Sequence, residues 1–118
     1  MIPSEPHSIN RAVVVVQPKQ PFVDWLMQCP EPPEDITLDS LQDDCTTYLI
    51  PDFEDLDSLD DYLEALLPFF AATEFDSWYS DETLWPKLST DDYPSWFDLK
   101  VHSTVIDMAD GPIKQEKL

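Results

Sequence analysis

"RAVVVVQPKQPFVDWLMQC", residues 11 to 29, contains two hydrophobic patterns of different period, divided by two prolines. From Arg11 to Gln17 the branched valines suit an extended pleat, and Pro18 closes the run. Beyond it Phe22, Trp25, Leu26 and Cys29 recur at helical spacing, and Pro21 suits a first helical turn. A strand feeding a short helix is predicted. "PEPPED" at 30 to 35 then stops that helix, because proline lacks the donor hydrogen and keeps the preceding residue out of helical geometry.

Working outward, residues 1 to 10 mix prolines with polar residues without periodicity and read as a flexible N-terminal arm. Leu38 and Leu41 suggest a helical turn, and "CTTYLIP" at 45 to 51 has the β-branched and aromatic content of a second strand. From Asp57 the residues Leu59, Leu63, Leu66 and Phe70 lie at steps of four, three and four, the stripe of an amphipathic helix. Asp57 or Ser58 is the expected cap, with first-turn carboxylates matching the helix dipole. Pro68 predicts a kink or a restart, with helix on to Tyr79. "SDETLWPKLSTDDYP" reads as an ordered connection with a capped turn near Thr90, Ser95 to Asp98 as a short helix, and Leu99 to Met108 as a third strand. The expected fold is α+β: a single two-layer domain over 11–110, about three strands with helices packed on one face, and a flexible tail at 111–118. The first two strands are expected to run parallel through a right-handed crossover.

The chain has 118 residues, 42% of them hydrophobic and 12% aromatic, which is enough to bury a core. Its 6 basic against 25 acidic residues give a formal charge of -19, which repels nucleic-acid phosphates and anionic membrane surfaces. Direct nucleic-acid binding and membrane association are therefore not expected. No apolar run approaches the ~20 residues a spanning helix needs, no cationic and apolar leader opens the sequence, and Cys29 and Cys45 fit no metal or redox spacing. A cytoplasmic protein with reduced thiols is the expectation.

The acids are unevenly placed. Residues 20 to 86 contain 18 acidic side chains and no lysine or arginine, and 52 to 64 alone carries seven acids in thirteen residues. Asp57, Asp60, Asp61 and Glu64 would be neighbours on one helix, where each like-charge pair costs roughly 0.2 to 0.5 kcal/mol. The apolar stripe outweighs this at ~1.5 to 3 kcal/mol per buried side chain. Such a face has three readings: a solvated surface for solubility, a surface that steers and holds a basic protein partner, or adaptation to salt or metal. "DFEDLDSLDD" lacks the glycine and terminal glutamate of an EF-hand loop, so specific calcium binding is not expected.

One glycine, Gly111, leaves no glycine-rich phosphate loop. His102, Ser103 and Asp107 would alternate faces along a strand, so they form no nucleophilic set. Neither a metal nor another cofactor is expected. Trp25, Trp78, Trp85 and Trp96 are read first as core anchors. The segment "WYSDETLWPK" at 78 to 87 stands apart, because Trp78, Tyr79 and Trp85 rimmed by Asp81 and Glu82 could form an exposed hot spot.

The phrases "INRAVVVVQPKQPFVDWL" (9 to 26), "DETLWPK" (81 to 87) and "WFDLKVHSTVID" (96 to 107) resemble a family of small acidic bacterial proteins of uncharacterised activity. The resemblance runs from about Ile9 to Ile113 and implies a bacterial cytosolic protein, without supplying an activity, ligand or site. The family is basic just after "WPK", where this chain departs with Leu88 and Ser89. The sequence thus points to a non-enzymatic, acidic protein-interaction module, an inhibitor or antitoxin-like binder of a basic partner whose nucleic-acid site it could mimic. The alternatives are a small-ligand binder or enzyme with a tryptophan-lined pocket, and a soluble protein whose acidity serves only solubility or salt adaptation.

Overall fold

The computed structural model describes residues 6–118. The valine run forms β2 (Arg11–Pro18), the middle strand of a three-stranded sheet. Along it Ala12, Val14, Val16 and Pro18 are buried while the alternate residues are partly exposed or exposed, so the strand turns one face to the core. β3 (Thr46–Pro51) pairs on one side and β4 (Phe97–His102) on the other, giving the order β3-β2-β4. The helices α1 (Gln20–Gln28), α2 (Leu38–Gln42), α3 (Leu56–Asp76) and the single-turn α4 (Tyr93–Trp96) complete an α+β fold. Core residues come from the helices, from the buried face of β2, and from Ile50 of β3 and Phe97 of β4.

The pairing corrects the expected parallel crossover: β3 is antiparallel to β2, in a register that sets Val16 opposite Thr46 and Arg11 opposite Pro51. The linker holds two helical segments, α1 and α2, and makes an out-and-back excursion that returns the chain to the end of the sheet it left. β4 is also antiparallel to β2, with Pro18 opposite Phe97. β3 and β4 therefore run parallel to each other with β2 between them, and α3 is the crossover that joins them.

Helix α1 follows its sequence pattern, with Phe22, Val23, Trp25 and Leu26 buried and Pro21 in its first turn. Helix α3 begins earlier than predicted. Its cap is Asp55, not Asp57 or Ser58: the Asp55 carboxylate accepts hydrogen bonds from the Ser58 amide (2.8 Å) and hydroxyl (3.0 Å). These bonds hold the Asp55 carboxyl below its ordinary pKa. The helix then runs unbroken through Pro68, where a kink or restart was predicted. Pro68 and Glu64, whose carbonyl loses its donor, are both exposed, so water can take the freed acceptor. Leu59 and Leu63 before the proline, and Phe70, Ala71 and Phe75 after it, pack into one core and hold both halves together. The helix ends at Asp76, short of Tyr79.

The predicted third strand is displaced and divided. β4 starts at Phe97, within the segment expected as helix, and stops at His102; after the 103–105 turn comes β5 (Ile106–Asp107). β5 pairs with β1 (His7–Ser8), so the described part of the expected N-terminal arm is partly structured, whereas the reading of Met1 to Glu5 lies outside the described residues. Residues 112–118 have no regular structure and are exposed.

Phe75 is the centre of an aromatic cluster. Its ring stacks on Phe22 (5.5 Å between centroids) and meets Trp25 (4.9 Å), Trp85 (6.1 Å), Trp96 (5.9 Å) and Phe97 (5.9 Å). Each such pair adds ~0.5 to 1.5 kcal/mol beyond burial of its area.

Candidate functional site

Asp57, Asp60, Asp61 and Glu64 all lie exposed on the N-terminal half of α3, while Leu59 and Leu63 between them are buried. Among the described residues none of the four has a cation within ion-pair distance; the Lys100–Asp98 pair (3.2 Å) lies on β4. Beside the start of this helix a groove of about 290 Å³ has Phe53, Leu56 and Leu59 in its apolar lining and Asp52 and Glu54 along it. Leu56 is 75% exposed. This end of the molecule therefore presents carboxylates together with an open apolar surface.

The segment 78–87 is built differently from the expected hot spot. Trp78 is on the surface at 37% exposure, but Tyr79 and Trp85 are half-buried and pack against the core. The Tyr79 hydroxyl donates to the Pro30 carbonyl (3.0 Å), and the Trp85 indole donates to the Tyr79 carbonyl (2.7 Å). The Trp25 indole donates to the Leu84 carbonyl (2.9 Å), so the loop is pinned from both sides. Asp81 caps a 3-10 turn at Glu82–Leu84, accepting from the Thr83 hydroxyl (2.6 Å) and amide (3.0 Å), which lower its pKa. Glu82 is exposed. Glu64 and Trp78 are fourteen residues apart along α3 and its end, about 20 Å at a helical rise. The helix acids and Trp78 therefore mark opposite ends of α3.

At the Trp78 end the structure assembles a site that sequence reasoning missed. A cavity of about 420 Å³ lies where α2, the start of β3 and the end of α3 meet, lined in part by Leu41, Asp44, Cys45, Thr46, Glu74 and Trp78. Glu74 is only 9% exposed, and its Oε1 has no hydrogen-bond partner among the described residues. Burial pushes its carboxyl above the usual glutamate range, and the Thr46 side chain pulls it part of the way back. The neighbouring Tyr48 hydroxyl makes no close hydrogen bond among the described residues; burial raises its pKa and the Thr73 side chain draws it part of the way back. The signal for Glu74 was legible: it lies four residues beyond Phe70, on the apolar stripe itself.

The surroundings of Cys45 disfavour nucleophilic chemistry. Its thiol is pushed up first by burial and then by Glu74, Asp44 and Asp43, and nothing there stabilises a thiolate. Cys29 is a second free thiol, buried and also raised by burial. His102 is exposed at the end of β4, while Ser103 lies in the turn beyond it and Asp107 in β5. Among the described residues no group of three or more His, Cys, Asp or Glu side chains converges to hold a metal ion, and no helix is long and apolar enough to cross a membrane. Compared with protein-family models, with curated proteins and with solved structures, the chain matches none.

Proposed function

We propose that the chain is a non-enzymatic acidic interaction module that holds a basic protein partner through the N-terminal half of α3. One observation carries the reading: Asp57, Asp60, Asp61 and Glu64 stand exposed, with no counter-ion among the described residues, on a capped helix whose opposite side is packed into the core. Fixed carboxylates in a field of -19 raise the encounter rate with a cationic surface and suppress encounter with anionic ones. Helix spacing also presents the acids in a row ~5 to 6 Å apart, a pitch that suits a cationic groove built for phosphates. The partner class is a basic enzyme or a nucleic-acid-binding protein that the chain inhibits in an antitoxin-like manner, and the phrases resembling small acidic bacterial proteins make a bacterial cytosol the setting.

The test is capture of a basic protein from bacterial lysate by the immobilised chain at roughly 0.05 M and 0.5 M salt. Capture at the lower salt that fades at the higher, and disappears when Asp57, Asp60, Asp61 and Glu64 are all changed to lysine, supports the module. The charge-reversed chain must keep the circular dichroism of the parent. Equal capture by the reversed chain, or no capture at either salt, overturns the reading.

A further inference from the structure

We propose that the cavity between α2, β3 and the end of α3 is a receptor for an alkylammonium or guanidinium group, with Glu74 as its counter-ion and Trp78 as its aromatic wall. It lies at the opposite end of α3 from the acids of the proposed function and does not depend on them.

The argument begins with the orphaned acceptor. A carboxylate oxygen buried without a partner is destabilising, and a group that brings N–H donors removes the deficit. The cavity volume of about 420 Å³ falls within the range of small-ligand sites. Its other walls select the ligand. Phe22, Ile36 and Leu41 offer apolar surface for an aliphatic stem, and Trp78 presents a ring to a cation. Asp44 is a second acid in the lining, so an anion is repelled. A neutral apolar ligand would leave Oε1 still unpaired. A positively charged nitrogen donor on a short apolar stem satisfies all of these walls together.

Such a group has two sources, a lysine or arginine side chain of a protein and a free polyamine. Both require ionised Glu74, so binding expels the proton that burial favours there. The titratable groups nearest it are Cys45 and Tyr48, with Asp44 also in the cavity lining, and none of them is cationic at neutral pH.

The test is amide and indole NMR of the full chain titrated with n-butylammonium, with n-butanol as its uncharged counterpart. Butylammonium should saturably shift Cys45, Thr46, Glu74 and the Trp78 indole, and butanol should bind at least about tenfold more weakly. Glu74→Gln should weaken butylammonium by about tenfold or more. Affinity should rise with pH above the ordinary glutamate range, and Cys45→Ser should leave that rise intact, assigning it to Glu74. Butanol binding as tightly as butylammonium overturns the proposal without recourse to any variant. So do an unchanged affinity in Glu74→Gln and shifts confined to the acids of the N-terminal half of α3. Parallel titrations with Nα-acetyl-lysine methylamide and with spermidine distinguish the sources, the tighter of the two naming it. If charge reversal on α3 abolishes partner capture while butylammonium still binds, both proposals stand and are independent.

Discussion

The two halves of α3 use the same side-chain chemistry in opposite ways. From Leu56 to Leu67 the acids point to solvent, and the cost is confined to mutual repulsion across a high-dielectric surface. From Pro68 to Asp76 one acid, Glu74, sits on the buried side among Phe70, Ala71 and Phe75. There the carboxylate is desolvated, one oxygen is unpaired, and its pKa rises. Register against the apolar stripe, a matter of one or two residues along the helix, separates a docking charge from an interior one.

The largest effect that could break this comparison is loss of the common core. Phe75→Ala should cost about 3 to 5 kcal/mol in urea unfolding, because the ring touches five other aromatic side chains. Leu56→Ala, at the exposed start of the same helix, should stay within about 0.5 kcal/mol. Equal costs at the two positions would mean that α3 is not packed as described.

Glu74→Gln should stabilise the chain at neutral pH, by on the order of 1 kcal/mol. The sign follows from linkage. The folded state binds the Glu74 proton more tightly than the unfolded state does, so its contribution to stability is fully present below the unfolded pKa. It is lost as pH rises from the ordinary glutamate value through the raised folded one. Urea unfolding of wild type and Glu74→Gln across that window should therefore show a growing difference in favour of the variant. Asp55, Asp81 and Asp92, the last accepting from the Ser89 amide (2.9 Å) and hydroxyl (3.0 Å), act in the opposite direction: these bonds depress their pKa values, and the stability they add is lost as pH falls through those depressed values.

Smaller still is the effect of thinning the exposed row. Asp61→Asn removes repulsion with Asp57 and Glu64 and should gain roughly 0.2 to 0.5 kcal/mol per pair. Asp57→Asn also removes a favourable charge from the first turn, so its gain should be less. Least of all, Lys100→Ala breaks an ion pair whose members are 56% and 47% exposed, and should leave stability without a measurable change.

Much of this fold was readable because period and punctuation agreed. The valines of β2, the Phe22–Trp25–Leu26 face of α1 and the Leu59–Leu63–Phe70 stripe of α3 each lie where their spacing places them. Strand direction was not readable, because it depends on how many times a linker crosses the sheet, and the short α2 between "PEPPED" and Cys45 left little periodic signal. The split of the last strand escaped for a related reason: alternation across Leu99 to Met108 does not record that the chain leaves one sheet at His102 and joins β1 at Ile106. Tyr79 and Trp85 read as exposed because their segment is irregular, yet their polar atoms bond backbone carbonyls that lie near only in the fold. Glu74 was passed over because the count of acids drew the reading to the dense cluster at 52 to 64, while the informative acid was the one out of place on the stripe.

A carbon-detected NMR titration of the Glu74 carboxyl tests the account most directly. A midpoint clearly above the ordinary glutamate range, falling when butylammonium saturates the cavity, is the predicted result. A midpoint at or below that range in the free protein would place Glu74 in contact with water or a donor, and would contradict the division of α3 into an outward-charged and an inward-charged half.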